Sequence, residues 1–250
     1  MKVIVMGNAP SVLLNEFGST IDTFDKVIRM NDYKISGFEK HVGTKTDIYV
    51  RSHNPEYPMK DASEYDEVWL KSQWKRWRGL GLVPFTDMKS PNIELITESR
   101  WDTNRVGGKN TKTTGIRAIE MAIDKFYTEG NPIYIYGFTF FNANGDMKSV
   151  CNRPHYYMEE PPNMYYSFMN KKMDSQWDHV FHKERDLVKN LIAEGKVKAL
   201  FPEEISGDID MSQFEDCIEY IPKHLANRKR PGNRFKGTKY GPEGYVKQEK

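Results

Sequence analysis

Two histidines in this chain are placed to move protons. His155 heads the run His155-Tyr156-Tyr157, and His179 stands in an H-x(4)-E spacing with Glu184, with His182 between them. An imidazole titrates near pH ~6.5 and so serves as a base or an acid close to neutrality. A solvated surface position is the ordinary role of any one of them alone. A second group of residues suits an anion. Gly7-Asn8-Ala9-Pro10-Ser11 is a small-residue turn, Arg29-Met30-Asn31 carries another amide, and Thr113-Thr114-Gly115 offers hydroxyls and a glycine where a helix can start. Backbone N–H groups at a helix N-terminus favour a phosphate. Neither GxGxxG nor GxxxxGK[ST] is present, so the dinucleotide fingerprint and the P-loop are excluded. The one Asp-x-Asp spacing, Asp208-Ile209-Asp210, follows no apolar strand and reads as solvated surface. Two amides and a helix terminus can hold a nucleotide monophosphate without a metal, and no metal ligand set is expected.

Those residues must be carried by regular elements. Val3-Ile4-Val5-Met6 is a continuous apolar run stopping at Gly7, the pattern of a strand buried on both faces. Val12-Leu13-Leu14 then begins a short helix. Further strands are expected at Lys26–Met30, Asp47–Val50, Glu67–Leu70, Ile93–Ile96, Pro132–Gly137 and Val197–Phe201. Ile116, Ile119, Ala122, Ile123 and Phe126 recur on one face of a helix that Thr113 or Thr114 caps. A second long helix is expected over Val180–Ala193. Strands alternating with helices predict an α/β fold, a Rossmann-like, mostly parallel twisted sheet flanked by helices. Ligands then sit at the carboxyl ends of the strands, where Asn8, Asn31, His53 and Gly137 fall.

The remaining segments differ in character. Residues 142–176 lack periodicity and carry Pro154, Pro161 and Pro162 among many Tyr and Met, as a lid or a disordered loop does. From Lys223 to Lys250 there are nine Lys/Arg and two Glu, which predicts a flexible basic tail. Such a tail is usually solvated, and its functional reading is peripheral contact with anionic lipid. Trp74-Lys75-Arg76-Trp77-Arg78 reads either as an acceptor platform or as a half-buried helix. The net charge of +2 gives no reason to expect nucleic acid as a partner. Cys151 and Cys217 form neither a CxxC nor a zinc spacing. No run approaches the ~20 apolar residues of a membrane span. The expected location is cytoplasmic, with contact at the inner membrane face. The division is a single catalytic domain over 1–205, with its lid at 142–176, and a tail over 206–250.

In this order the motifs resemble those of the sialyltransferases of glycosyltransferase family 29. The long motif is matched from Val3 to Thr46 by Gly7-Asn8, Gly18, Ile21-Asp22, Phe24-Asp25, Arg29-Met30-Asn31, Gly37-Phe38-Glu39 and Val42-Gly43-Thr44-Lys45-Thr46. The short motif is matched from Thr113-Thr114-Gly115 to Tyr134-Ile135-Tyr136-Gly137-Phe138. The third is matched by His155-Tyr156-Tyr157, and the fourth by His179 and Glu184. The departures are Met158 at the acidic position of the third motif, Thr113 for the short-motif serine, and the missing cysteine pair of vertebrate Golgi members. These suggest a soluble bacterial or viral member.

The resemblance implies a GT-A-variant sialyltransferase fold and an inverting, metal-independent transfer from CMP-sialic acid to a glycan hydroxyl. His179 would be the base toward the acceptor, and His155 would donate to the departing CMP phosphate. Asn8 and Asn31 would grip phosphate and ribose. Thr113, Thr114, Gly115 and Tyr157 would contact the donor, and Gly137-Phe138 would line the cytidine. Glu184 would orient the helix start or His182. Family relatives also include transferases of Kdo, so CMP-Kdo is the alternative donor. A nucleotide-binding module without catalysis is the alternative from another class.

Overall fold

Alternation along the first strand explains the whole sheet. Val3 and Val5 enter one core cluster, Ile4 and Met6 another, and all four are buried. Ile133 and Ile135 join the first cluster, while Tyr134 and Tyr136 join the second. A strand packed on both faces needs no polar side, hence the unbroken apolar runs. Full burial of each such side chain contributes about 1.5–3 kcal/mol. The computed structural model describes residues 1–51, 60–71, 93–96, 112–140, 156 and 181–209, with backbone alone at 71, 93–96 and 182.

Seven strands form one sheet: β1 (Val3–Met6), β2 (Lys26–Met30), β3 (Ile48–Arg51), β4 (Glu67–Lys71), β5 (Ile93–Ile96), β6 (Ile133–Tyr136) and β7 (Val197–Ala199). Their order is β5-β4-β3-β2-β1-β6-β7, and all six pairings are parallel. The order grows leftward from β1 to β5 and then rightward through β6 and β7. It therefore reverses between β1 and β6, the place where open α/β sheets leave a ligand crevice. The expected strands all form, most with ends shifted by a residue or two. The last is shortest, ending at Ala199, with Leu200 N–H giving the final bond to Ile135 O at 2.9 Å.

On one face lie α3 (Thr114–Phe126) and α4 (Phe181–Ala193). Ile116, Ile119 and Ala122 of α3 and Phe181 and Val188 of α4 share the cluster of Val3, Val5 and Ile28. The opposite face is covered by a 3₁₀ turn at Pro10–Leu14, by α1 (Gly18–Asp22) and by α2 (Glu39–Val42), through Val12, Ile21 and Val42. The expected helix at Val12 is thus a tight 3₁₀ turn led by Pro10. α5 (Glu203–Ser206) lies beyond the point where the apolar pattern fades. None of the described helices is long and apolar enough to cross a membrane.

Candidate functional site

At the carboxyl edge the turns after β1 and β6 lie back to back. Gly7 N–H donates to Tyr136 O at 2.7 Å, and Ala9 N–H to Gly137 O at 3.1 Å. A Cβ on Gly7 would stand 2.0 Å from Gly137 O, and one on Gly137 would stand 2.7 Å from Gly7 O. Gly137 also has φ 82°, a left-handed conformation that a side chain resists. Glycine at both positions is therefore a packing requirement, and it lets β1 and β6 turn outward together.

Asn8 follows directly. It is 7% exposed, and its Nδ2 donates to Met30 O at 3.2 Å. Asn31 has φ 55°, unusual for a side-chain-bearing residue but tolerated by asparagine, and its N–H donates to Val50 O at 2.9 Å. The ends of β1, β2 and β3 are thereby tied together. The start of α3 closes the group, since a Cβ on Gly115 would meet Phe138 Cε1 at 2.8 Å and Met30 Sδ at 3.7 Å. Asn8, Asn31, Gly115, Gly137 and Phe138 are thus brought to the crevice beside the reversal point.

Thr113 is the N-cap of α3, which decides between the two candidate caps. Its Oγ1 accepts from Ile116 N–H at 3.3 Å and donates to Glu184 Oε2 at 2.8 Å, while its own N–H donates to Glu184 Oε1 at 2.7 Å. The helix start that Glu184 orients is therefore that of α3, not that of its own helix. With these donors engaged, Thr114 and Gly115 N–H are the first-turn donors, at the positive end of the helix dipole. Burial pushes the Glu184 carboxyl up to about 7, against the opposing pull of the two Thr113 bonds.

Much of the long-motif match supports this edge rather than reaching it. Asp22 accepts from Thr44 N–H, Thr44 Oγ1 and Lys45 N–H. Arg29, 1% exposed, donates to Lys45 O and Val42 O. A buried guanidinium needs such acceptors. These bonds lock the α2–β3 connection under β2.

Tyr156 represents the third motif. Its N–H donates to Asn8 O at 3.0 Å, its hydroxyl pairs with the backbone of Lys34, and its ring stands edge-on to Phe38 at 5.0 Å. Burial raises its phenol to about 12, so it remains a hydroxyl. His155, Tyr157 and His179 lie outside the described residues, as do His53, the 142–176 segment, Trp74 to Arg78, Asp210 and the tail from 210 on; the His182 side chain is likewise not described.

Glu204 belongs to none of the four motifs. It is 1% exposed, and its carboxylate accepts from Gly137 N–H at 2.8 Å, from Phe138 N–H at 3.1 Å and from Ser11 Oγ. Glu203 and Glu204 are neighbours of one type, and nothing local distinguishes the exposed one from the buried one. Among the described residues no three His, Cys, Asp or Glu side chains group as a metal site.

The model of glycosyltransferase family 29 (sialyltransferase) matches residues 2–87. A type 2 lactosamine alpha-2,3-sialyltransferase of Mus musculus is 29% identical over 180 residues, covering 54% of this chain and 54% of that protein. A CMP-N-acetylneuraminate-beta-1,4-galactoside alpha-2,3-sialyltransferase of Rattus norvegicus is 24% identical over 224 residues, 76% of this chain and 55% of that protein. The chain thus spans about half the length of the curated relatives it matches. The crystal structure of a mammalian sialyltransferase superposes with a TM-score of 0.50 at 19% identity, over 80% of this chain and 68% of that one, a likeness of fold.

Proposed function

We propose that the chain is a member of glycosyltransferase family 29, whose model matches residues 2–87, and that it transfers sialic acid from CMP-sialic acid to a glycan hydroxyl, with inversion and without a metal. The observation that carries this reading is the convergence of Asn8, Asn31, Gly115 and Phe138 at the reversal point of a parallel sheet, beside a capped helix N-terminus. Thr114 and Gly115 N–H would meet the single phosphate of CMP, helped by the dipole of α3. Asn8 and Asn31 would take phosphate and ribose, and Gly137-Phe138 the cytidine. A monophosphate leaving group needs less neutralisation than a diphosphate.

In this reading His179 removes the acceptor proton as the hydroxyl attacks the anomeric carbon, and His155 protonates the departing phosphate. Two observations support it. Tyr156, directly after His155, is bonded to Asn8, and Glu184, in the same H-x(4)-E motif as His179, is bonded to Thr113. Donors fixed before the reaction stabilise the charge that develops on the leaving group.

The test offers CMP-Neu5Ac and CMP-Kdo to the purified protein with a glycan panel and follows CMP release and the product. Turnover with CMP-Neu5Ac, unchanged by EDTA and giving an inverted product by NMR, is expected. Turnover with CMP-Kdo alone would move the protein to the other donor, and CMP binding without turnover would make it a binding module. His179→Ala should lower kcat about 10²-fold or more with CMP affinity retained, and His155→Ala should slow CMP departure. Near-normal turnover of His179→Ala would remove the base assignment.

A further inference from the structure

The crevice has a support that the four motifs do not include. The turn after β1 and the turn after β6 lie against one another at this edge, and both are held by one carboxylate. Glu204 Oε2 receives Gly137 N–H at 2.8 Å and Phe138 N–H at 3.1 Å, while Oε1 receives the hydroxyl of Ser11 from the 3₁₀ turn. α5 is only four residues long, and it presents this side chain inward while Glu203 stays exposed. A buried carboxylate is costly unless its oxygens are occupied, and here three donors occupy them. The N–H groups it captures belong to the dipeptide whose phenylalanine ring lies against Gly115 at the start of α3.

The geometry points to Glu204 as a positioning residue of the donor site, setting the Gly137-Phe138 backbone and the Ser11 turn at the separation a nucleotide requires. This rests on the donor reading above. Glu204 touches no reacting atom in that reading and acts through Gly137 and Phe138. Oε2 takes the shorter bonds of both amides, and Oε1 takes Ser11 with a longer second contact from Gly137 N–H at 3.1 Å, so a glutamine with its carbonyl at the Oε2 position fits the same place. Its carbonyl oxygen can accept from the two amides, and its NH2 can donate to Ser11 Oγ. Alanine leaves all three donors without an acceptor, and aspartate withdraws the oxygens by a methylene.

The test compares wild type with Glu204→Gln, Glu204→Asp and Glu204→Ala, measuring the Kd for CMP by calorimetry, the KM and kcat for CMP-Neu5Ac, and Tm. Asp47→Asn is the control for general destabilisation, because Asp47 caps the far end of the sheet by accepting from Val27 N–H. Glu204→Ala and Glu204→Asp should weaken CMP about tenfold or more, as a displaced site does, with the loss mainly in KM. Glu204→Gln should stay within about threefold of wild type. Asp47→Asn should lower Tm and leave the Kd for CMP unchanged. Wild-type CMP affinity in Glu204→Asp overturns the inference even if Glu204→Ala fails to fold. A loss in Asp47→Asn equal to that in the Glu204 variants also overturns it. If wild type itself does not bind CMP, the donor reading falls and takes this one with it; tight wild-type binding with unaltered Glu204 variants removes this inference alone.

Discussion

Thr113 and Glu184 meet across 71 residues, and the pair works as a relay: the threonine hydroxyl accepts from Ile116 and donates to the carboxylate. Thr113→Ala removes a cap and leaves Glu184 Oε2 without its donor, so it should cost about 2 kcal/mol in urea unfolding. Thr113→Ser keeps the hydroxyl and should cost under about 0.5 kcal/mol. An equal loss in both would show that the methyl group, not the hydroxyl, matters there. Gly7 is constrained more severely. With a Cβ placed 2.0 Å from Gly137 O, Gly7→Ala has to part β1 from β6 and should cost about 3 kcal/mol by the same measurement. Individual roles were only partly legible in the sequence. Asp22 and Arg29 stand in the long-motif match, yet the sequence does not tell a residue that braces the site from one that lines it. Asp22 finds its partners 22 and 23 residues on, a closure that no local pattern announces.

Among the elements, α3 decides most, because its N-terminus faces the crevice while its apolar face sits on the sheet. Gly115→Ala sets two effects against each other. Helix propensity favours alanine by up to about 1 kcal/mol, and the added methyl presses on the edge of the Phe138 ring. Stability should therefore change by less than about 1 kcal/mol while CMP binding weakens, as Phe138 is moved off its seat. Unchanged CMP affinity would exclude this helix start from the donor site. This helix was readable because its apolar residues recur over 13 positions. The strands were readable because burial on both faces leaves unbroken apolar runs such as Val3–Met6. α1, α2 and α5 were not, since four or five residues are too few to show a period, and Gly18–Asp22 and Glu203–Ser206 are preceded by Phe17 and Pro202, which make no side-chain N-cap bond. The 3₁₀ form of Pro10–Leu14 depends on packing beneath β1 and β6, which the letters do not show.

For the whole molecule, two buried carboxylates impose a pH dependence. Burial holds Glu184 and Glu204 each at about 7, against an ordinary value of 4.5. Between those values the folded state keeps protons that the unfolded state has released. Their contribution to stability is thus full below about 4.5, falls as pH rises, and is gone above about 7. The slope is at most about 1.4 kcal/mol per pH unit for each group. Urea unfolding of wild type and Glu204→Gln at a series of pH values should show the difference between them moving against wild type across that window. A constant difference would mean that Glu204 does not titrate there. The link between Ser11 and Glu204 has a further consequence, for synthesis. These partners are 193 residues apart in the chain. At roughly 5–20 residues per second, a ribosome needs about 10–40 s to travel from one to the other. Through that interval Ser11, and later Gly137 and Phe138, emerge before their shared acceptor does. A nascent chain arrested short of residue 204 should therefore hold β1, β2 and β6 yet fail to retain a CMP probe, and release of a few more residues should restore binding.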